Sequence, residues 1–282
     1  MAAKQIAIVT SSKNPRLSDS SMRLVRALER KGYTVTSFPW DRRNKQEPYA
    51  ALLPLECWNY HLHRQEFLGW LEERKNEGIR ILNPVPIIRW NTDKTYLLEL
   101  EKSGIPIIPT AIIRPEGQDT PGTIMEKRHW QHAIIKPTVG ASAYGTKKIS
   151  LQSAHLTKEI IDRSAPWIIQ EYFEGISKGE YSFVFFNREF SHAVLKVPKA
   201  NEYRVHIDYG GTEIPVQPDQ HLISQAASVL NVVEGPLLYA RVDAVETNGR
   251  LLLMELELTE PYLFFDSDPA SADRFVRAYE LL

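Results

Sequence analysis

The sequence predicts an α/β protein that begins with an open, mostly parallel layer and runs on into antiparallel strands. Two observations predict it. Apolar runs and helical periodicities follow one another as β-α-β near the N-terminus, and residues 239–258 near the C-terminus alternate with the two-residue period of strands. The 282 residues are enough to bury a sizeable core and leave room for about two or three structural units.

Residues 4–10, KQIAIVT, form a short apolar run bounded by polar residues. Residues 20–31 then carry Met22, Leu24, Val25 and Leu28 at helical spacing before Gly32 ends the helix. A second strand is predicted over 33–40, a third over 50–55, a helix over 61–77 on Leu62, Phe67, Leu68 and Leu71, and a fourth strand over 79–82, closed by Asn83-Pro84. Ser11-Ser12-Lys13-Asn14 follows the first strand where a dinucleotide fingerprint would need glycines, so that fingerprint is absent. Ligands in such layers sit beyond the carboxyl ends of strands. Residues 56–61, with Trp58 and Tyr60, are therefore a candidate substrate wall; aromatic packing under a loop is the alternative.

A helix is predicted from Asn91 to Ser103, with Leu97, Leu98 and Leu100 inward and Gly104 as its stop, followed by a strand over 105–113. In residues 132–138, HAIIKPT, Lys136 closes an apolar strand and precedes the small-residue stretch 139–146. An ammonium beside a loop that lets backbone N–H groups approach closely suits phosphate, although no P-loop pattern is present. The alternative is a loop without a ligand. A helix over 154–163 and a strand over 167–173 follow, then strands over 180–186, 189–196 and 201–209, and a helix over 222–230 on Ile223, Ala226, Ala227 and Leu230. Arg204 alternates with Val205 and His206 with Ile207, so Arg204, like Arg241, reads as a guanidinium on a strand. Its planar fork would hold a carboxylate or phosphate, or partner a nearby acid.

The hairpin sets Arg241 and Asp243 against Ala240, Val242 and Ala244, and Glu255, Glu257 and Thr259 against Leu256 and Leu258. A two-residue turn at Asn248-Gly249 would put Asp243 opposite Met254 and aim the acids to opposite faces. A three-residue loop with Gly249 in a left-handed bulge gathers Asp243, Glu255 and Glu257 on one face, and this is the register expected. Clustered carboxylates repel unless a cation sits among them, and oxygen ligands suit Mg²⁺; a solvated polar face is the alternative.

The formal net charge of −1 and the absence of a long apolar run indicate neither a membrane nor a nucleic-acid partner. The single cysteine, Cys57, excludes an internal disulfide, and no signal-peptide pattern opens the chain, so a cytoplasmic location is expected.

Taken in order, a strand-end lysine, a small-residue loop, a Q-E-Y-F strand, a glutamate, strand arginines and D…E-x-E resemble the ATP-grasp superfamily over about residues 88 to 265. Trp58-Asn59-Tyr60, Asn83-Pro84, Trp90-Asn91, Lys94-Thr95-Tyr96-Leu97, Glu202-Tyr203-Arg204-Val205 and Glu255-Leu256-Glu257-Leu258…Glu260-Pro261 are similar to the branch that holds the cyclo-ligase of O-ureido-serine, itself similar to prokaryotic glutathione synthetase.

The resemblance implies an N-terminal open α/β layer over 1–88, then an ATP-grasp fold of two α+β subdomains, 89–175 and 176–282. It implies ATP and Mg²⁺, with Lys94, Lys136 and the loop at Gly140, Ala141 and Ser142 on the phosphates. Gln170, Glu171 and Phe173 would sit at the adenine, Glu180 at the ribose, and Asp243 and Glu255 on the metal, where Glu257 stands in place of the family's usual asparagine. Arg204 and Arg241 would hold the substrate carboxylate and the oxyanion, with Trp58, Tyr60, His206, Thr259 and Glu260 on the substrate side. The implied activity is ligation of a small amino-acid-like carboxylate to an amine through an acyl phosphate, the ring-closing form first and the intermolecular dipeptide or glutathione type second. An ATP-grasp kinase or a non-catalytic ATP-binding protein is the alternative from another class. The sequence leaves the oligomeric state open, a homo-oligomer included.

Overall fold

The computed structural model describes residues 4–42, 48–154, 161–200 and 202–282. Among these residues three sheets form, in chain order. The first is parallel, with strands β1 (Gln5–Thr10), β2 (Thr34–Pro39), β3 (Ala51–Leu53) and β4 (Arg80–Ile81) in the order β2-β1-β3-β4. Its crossover helices are α1 (Asp19–Arg30) and α2 (Arg64–Asn76). The Ser18 hydroxyl caps α1 by accepting from the Ser21 N–H, and Gly32 at φ 82° ends the turn beyond it. The helix predicted from residue 61 starts three residues later, after a single 3-10 turn, Tyr60–Leu62, that leaves Leu62 exposed.

Helices α3 (Val85–Asn91) and α4 (Tyr96–Lys102) replace the single helix predicted over 91–103. Asp93 is the cause: its carboxylate accepts from the Thr95 N–H at 3.1 Å, an Asx turn that breaks the helix and puts Lys94 on the bend. Both helices pack through Ile87, Tyr96, Leu97 and Leu100 on a core shared with Phe183, Phe185, Val242 and Leu256.

A second sheet, β5-β8-β6-β7, is antiparallel: β5 (Thr110–Ile113), β6 (His132–Pro137), β7 (Lys147–Ser150) and β8 (Trp167–Glu171), with α5 (Pro121–Arg128) and the short α6 (Leu151–Ala154) beside it. The strand predicted over 105–113 shortens to β5, because residues 106–108 run beside the third sheet instead, joined to it by one parallel bridge, Ile107 to Leu253. The helix predicted over 154–163 falls largely outside the described residues.

The third sheet is antiparallel, in the order β11-β10-β9-β12-β13, from β9 (Glu180–Phe186), β10 (Glu189–Val197), β11 (Thr212–Val216), β12 (Tyr239–Thr247) and β13 (Arg250–Glu257). Helix α7 (Gln220–Leu230) covers its apolar face. Helix α8 (Ser271–Leu281) returns to the first sheet, where Phe275 and Tyr279 join Ile6, Ile8, Leu24 and Leu28 in a core with Phe186.

Two expectations about this sheet are corrected. Residues 202–206 are not a strand: the chain folds back, and a Cβ on Gly211 would stand 2.1 Å from the Val205 carbonyl oxygen, so only glycine admits the reversal. The hairpin loop is the tight two-residue turn, with Asn248 at φ 52° and Gly249 at φ 76° between the paired Thr247 and Arg250. The extra residue is Met254, bulged between the pairs Ala244–Leu253 and Asp243–Glu255. The predicted face survives by this different route, since Asp243 lies opposite Glu255 and Arg241 opposite Glu257.

Candidate active site

A cleft of about 1010 Å³ opens between the three sheets. Its floor is the polar face of the third sheet, and cross-strand register decides which charges meet there. On β9 and β10, Glu180 lies opposite Lys196; on β9 and β12, Ser182 lies opposite Asp243. Lys196 therefore reaches both Glu180 and Asp243, the latter at 3.0 Å. Asp243, 3 % exposed, accepts further from Ser182 Oγ at 2.6 Å and from Arg241 Nε and Nη2 at 3.0 and 2.9 Å. Arg241 also pairs with Glu257 and donates to the Tyr262 carbonyl.

A second knot lies beside the first. Glu255 accepts from Lys94 at 2.9 Å and faces Lys136 at 3.6 Å. Lys94 is tied to the small-residue loop as well, by its backbone N–H to the Thr138 carbonyl at 2.8 Å and by its ammonium to the Gly140 carbonyl. Ser142 and Ala143 take left-handed φ of 49° and 56°, a backbone cost on the order of 1 kcal/mol each that places them at the cleft mouth. The loop's Tyr144 ring rests on His61 of the N-terminal layer, centroids 4.9 Å apart.

Burial and pairing divide these groups. Burial works to raise Asp243, but Arg241 and Lys196 hold its carboxyl well below the ordinary range. Glu257 is pushed the other way, up to about 7, by burial and by Asp243 and Glu255, because the guanidinium it leans on is shared with Asp243. Burial lowers Lys136 despite Glu255, whereas Lys94, equally buried, ends raised because Glu255 touches it directly.

Further along the cleft, Gln170 donates to Thr110 Oγ1 at 3.2 Å, and the Glu171 N–H donates to the Pro109 carbonyl, which brings the end of β8 to the cleft edge. Phe173 stands against Gly175, where a Cβ would fall 2.3 Å from its ring. Arg204 and His206 lie on the opposite rim. Arg204 forks onto Glu202, Nη2 to Oε2 at 2.8 Å and Nε to Oε1 at 3.1 Å, and stacks 3.6 Å from the Tyr209 ring centre. Neither Arg204 nor His206 is on a strand. Trp58, Tyr60 and Glu260 line the end of the cleft under the N-terminal layer. Thr259 does not line it: its side chain is 2 % exposed and bonds to Asn91.

Lys196, now seen between two predicted site acids, was not among the residues singled out from sequence; it reads there only as the end of a strand. Asn83, Asn91 and Tyr96, quoted above as parts of motifs, are structural. Asn91 bonds to the Leu256 carbonyl and the Leu258 N–H, Tyr96 to both backbone groups of Leu256, and Asn83 to the Leu258 carbonyl and the Leu238 N–H. Together they satisfy the free edge of β13 and hold Glu255 and Glu257 in place.

The acids offer a hard divalent cation the oxygen donors it prefers, on adjacent register positions of one face. Protein cations hold those oxygens here, and among the described residues no three acid, histidine or cysteine side chains are gathered around one point. Among the described residues no helix is long and apolar enough to cross a membrane.

Comparison with known proteins gives one consistent neighbourhood. Residues 6–83 match the family model of the N-terminal domain of D-cycloserine synthetase DcsG. The chain is 26% identical to the cycloserine biosynthesis protein DcsG of Streptomyces lavendulae, over 97% of both proteins. The crystal structure of D-cycloserine synthetase DcsG superposes with a TM-score of 0.85 at 25% identity, covering 98% of both chains. A D-alanine–D-alanine ligase from Bacillus anthracis, solved with ATP, gives 0.67 at 13% identity over 98% of this chain and 95% of its own. The ATP-grasp ligase PsnB gives 0.66 at 16% identity over 99% of this chain and all of its own. The fold is that of the ATP-grasp ligases, and over its whole length the chain resembles D-cycloserine synthetase.

Proposed function

We propose that this ATP-grasp protein is a ligase that activates a small amino-acid-like carboxylate as an acyl phosphate and lets an amine of the same molecule close on it. The observation that carries the reading is the floor of the cleft, where four protein cations, Lys94, Lys136, Lys196 and Arg241, interleave with the acids of β9, β12 and β13. The whole-length resemblance to a cycloserine synthetase supports the ring-closing form over the intermolecular one. By this reading residues 1–88 supply the substrate side, 89–175 the nucleotide lid and 176–282 the charged floor.

A carboxylate resists nucleophiles because its charge and resonance repel them. Transfer of the γ-phosphoryl of ATP makes its carbonyl reactive and gives it a leaving group, a step that needs position and charge neutralisation more than a protein nucleophile. Lys94 and Lys136 bind the phosphates, and the loop at Gly140, Ala141 and Ser142 closes over them and excludes water. Gln170, Glu171 and Phe173 hold the base, and Glu180 the ribose. Asp243, Glu255 and Glu257 would hold Mg²⁺, whose charge would neutralise the phosphates. That requires Asp243 and Glu255 to give up part of their present ion pairs. Arg241 receives the oxyanion of the tetrahedral intermediate, and Arg204, from the opposite rim, the substrate carboxylate.

ADP release measured against a panel of amino acids that includes O-ureido-serine, followed by mass analysis of the product, tests the reading. A product lighter than its substrate, with ADP and phosphate formed together, is expected. ADP formed equally without any carboxylate, or a stable phosphorylated product, would replace the ligase by an ATPase or a kinase.

A further inference from the structure

We propose that Glu260 is the anchor for the ammonium group of an amino-acid substrate and so determines the substrate class; the proposal rests on the ligase reading above. Six acids line the floor of the cleft and its continuation beyond β13, and four of them hold a cation. Glu180 and Asp243 share Lys196, Glu255 holds Lys94 and Lys136, and Glu257 holds Arg241. Two make no ion pair or side-chain hydrogen bond among the described residues: Glu213, half-buried on the edge strand β11, and Glu260, at the end of the cleft with Trp58 and Tyr60.

Its backbone, by contrast, is firmly held. The Glu260 carbonyl accepts from Trp58 Nε1 at 3.3 Å, the Thr259 carbonyl accepts from the Tyr239 hydroxyl at 2.9 Å, and the Thr259 hydroxyl bonds to Asn91. A carboxylate presented on a rigid backbone and left without a counter-charge, where Asp243, Glu255 and Glu257 beside it each have one, is completed by the charge of a ligand. Burial, with Glu257 and Glu255 nearby, pushes its pKa well up, while Lys94 and Arg241 pull against this without touching it.

The chemistry of the end wall selects the ligand. One carboxylate is too few oxygens for a divalent metal, which takes six or so. Trp58 and Tyr60 line the same end, and aromatic side chains there suit a compact organic cation. Arg204, on the opposite rim of the same cleft, takes the opposite charge, as in the reading above. An acid for an ammonium and a guanidinium for a carboxylate describe a small free amino acid, not a peptide with a blocked amine or a simple carboxylic acid.

The test uses the full chain with ADP and Mg²⁺ in thermal-shift titrations, the probes being D-serine, L-serine and 3-hydroxypropanoate, which lacks only the ammonium. One serine enantiomer is expected to act at concentrations on the order of tenfold to a hundredfold lower than 3-hydroxypropanoate. Glu260→Gln should erase that preference, and Glu260→Asp, which keeps the charge, should retain part of it. A wild type without the preference, whether all the probes bind or none, overturns the proposal, as does a preference that survives in Glu260→Gln. Should Glu260→Gln fail to fold, the wild type and Glu260→Asp decide. Calorimetry of ADP on the same samples separates the two readings: intact ADP binding without ammonium preference removes the anchor alone, whereas absent ADP binding removes the ligase reading.

Discussion

Arg241 and Arg204 bring the same guanidinium to one cleft from two kinds of support. Arg241 sits on β12, between β9 and β13, 8 % exposed, with Asp243, Glu257 and the Tyr262 carbonyl on its nitrogens. Arg204 is on the irregular segment between β10 and β11, and its partners, Glu202 and Tyr209, belong to that same segment. One arginine is located by the sheet, and displacing it breaks a network. The other carries its partners with it, so its segment can shift without an unpaired charge. A fixed group suits an oxyanion whose position is set by the chemistry, and an adaptable one suits the part of a substrate that varies.

The largest effect should come from cutting the fixed network. Arg241→Met leaves Glu257 without its cation and Asp243 with Lys196 alone, and breaking such a buried pair costs about 3–5 kcal/mol. Chemical denaturation should show that loss, together with no detectable ADP release. Arg204→Met should change stability within about 1 kcal/mol, because its pair with Glu202 is only partly buried and both belong to one short segment, and should raise KM for the carboxylate on the order of tenfold. Equal stability losses in the two variants would erase the distinction between them.

The two lysines on Glu255 repeat the contrast on a smaller scale. Lys94 also holds the loop at Gly140, while Lys136 holds only the distant oxygen of Glu255. Lys94→Ala should therefore cost about 2 kcal/mol or more of stability through its unpaired partners. Lys136→Ala should mainly weaken ATP binding, by on the order of tenfold in calorimetry. ATP affinity untouched in Lys136→Ala would make the small-residue loop a structural feature only.

What the sequence makes legible is whatever alternates locally. The acid side of each hairpin strand was readable because side chains alternate along a strand. That the two sides share one face was not, since the tight turn alone would have parted them and the bulge at Met254 brings them together. Nor was the place of the extra residue, because the bulge at Met254 adjoins Leu253, whose N–H and carbonyl bond to Pro106 and Ile108. No local pattern in β13 encodes that contact. Lys196 was missed for a related reason: its partners Glu180 and Asp243 come from two other strands, and only the register of β9 brings them to it. Arg204 and His206 misled in the opposite sense. Their alternation with Val205 and Ile207 imitates a strand, and the glycines after them, read as a turn, allow the segment to fold back on itself.

The smallest effect is one of sign. Glu202, on the adaptable segment against Arg204, and Glu260, on the fixed floor of the cleft, are moved in opposite directions by their surroundings. The fork of Arg204 holds Glu202 down at about 2. An acid depressed on folding adds stability above its unfolded pKa of about 4.3, and that stability is lost as pH falls toward the folded value. Glu260 is raised, chiefly by burial, so its contribution is fully present below about 4.3 and is lost as pH rises from there. Melting temperatures of metal-free protein followed from pH 3 to pH 8 should thus separate two variants. Glu202→Gln should lose stability relative to wild type at the neutral end, within about 1 kcal/mol for a pair still partly open to solvent. Glu260→Gln should gain relative to wild type over the same rise in pH. Parallel profiles for wild type and Glu260→Gln would mean that the acid finds a counter-charge inside the protein, and the fixed floor would then be electrostatically complete without a ligand.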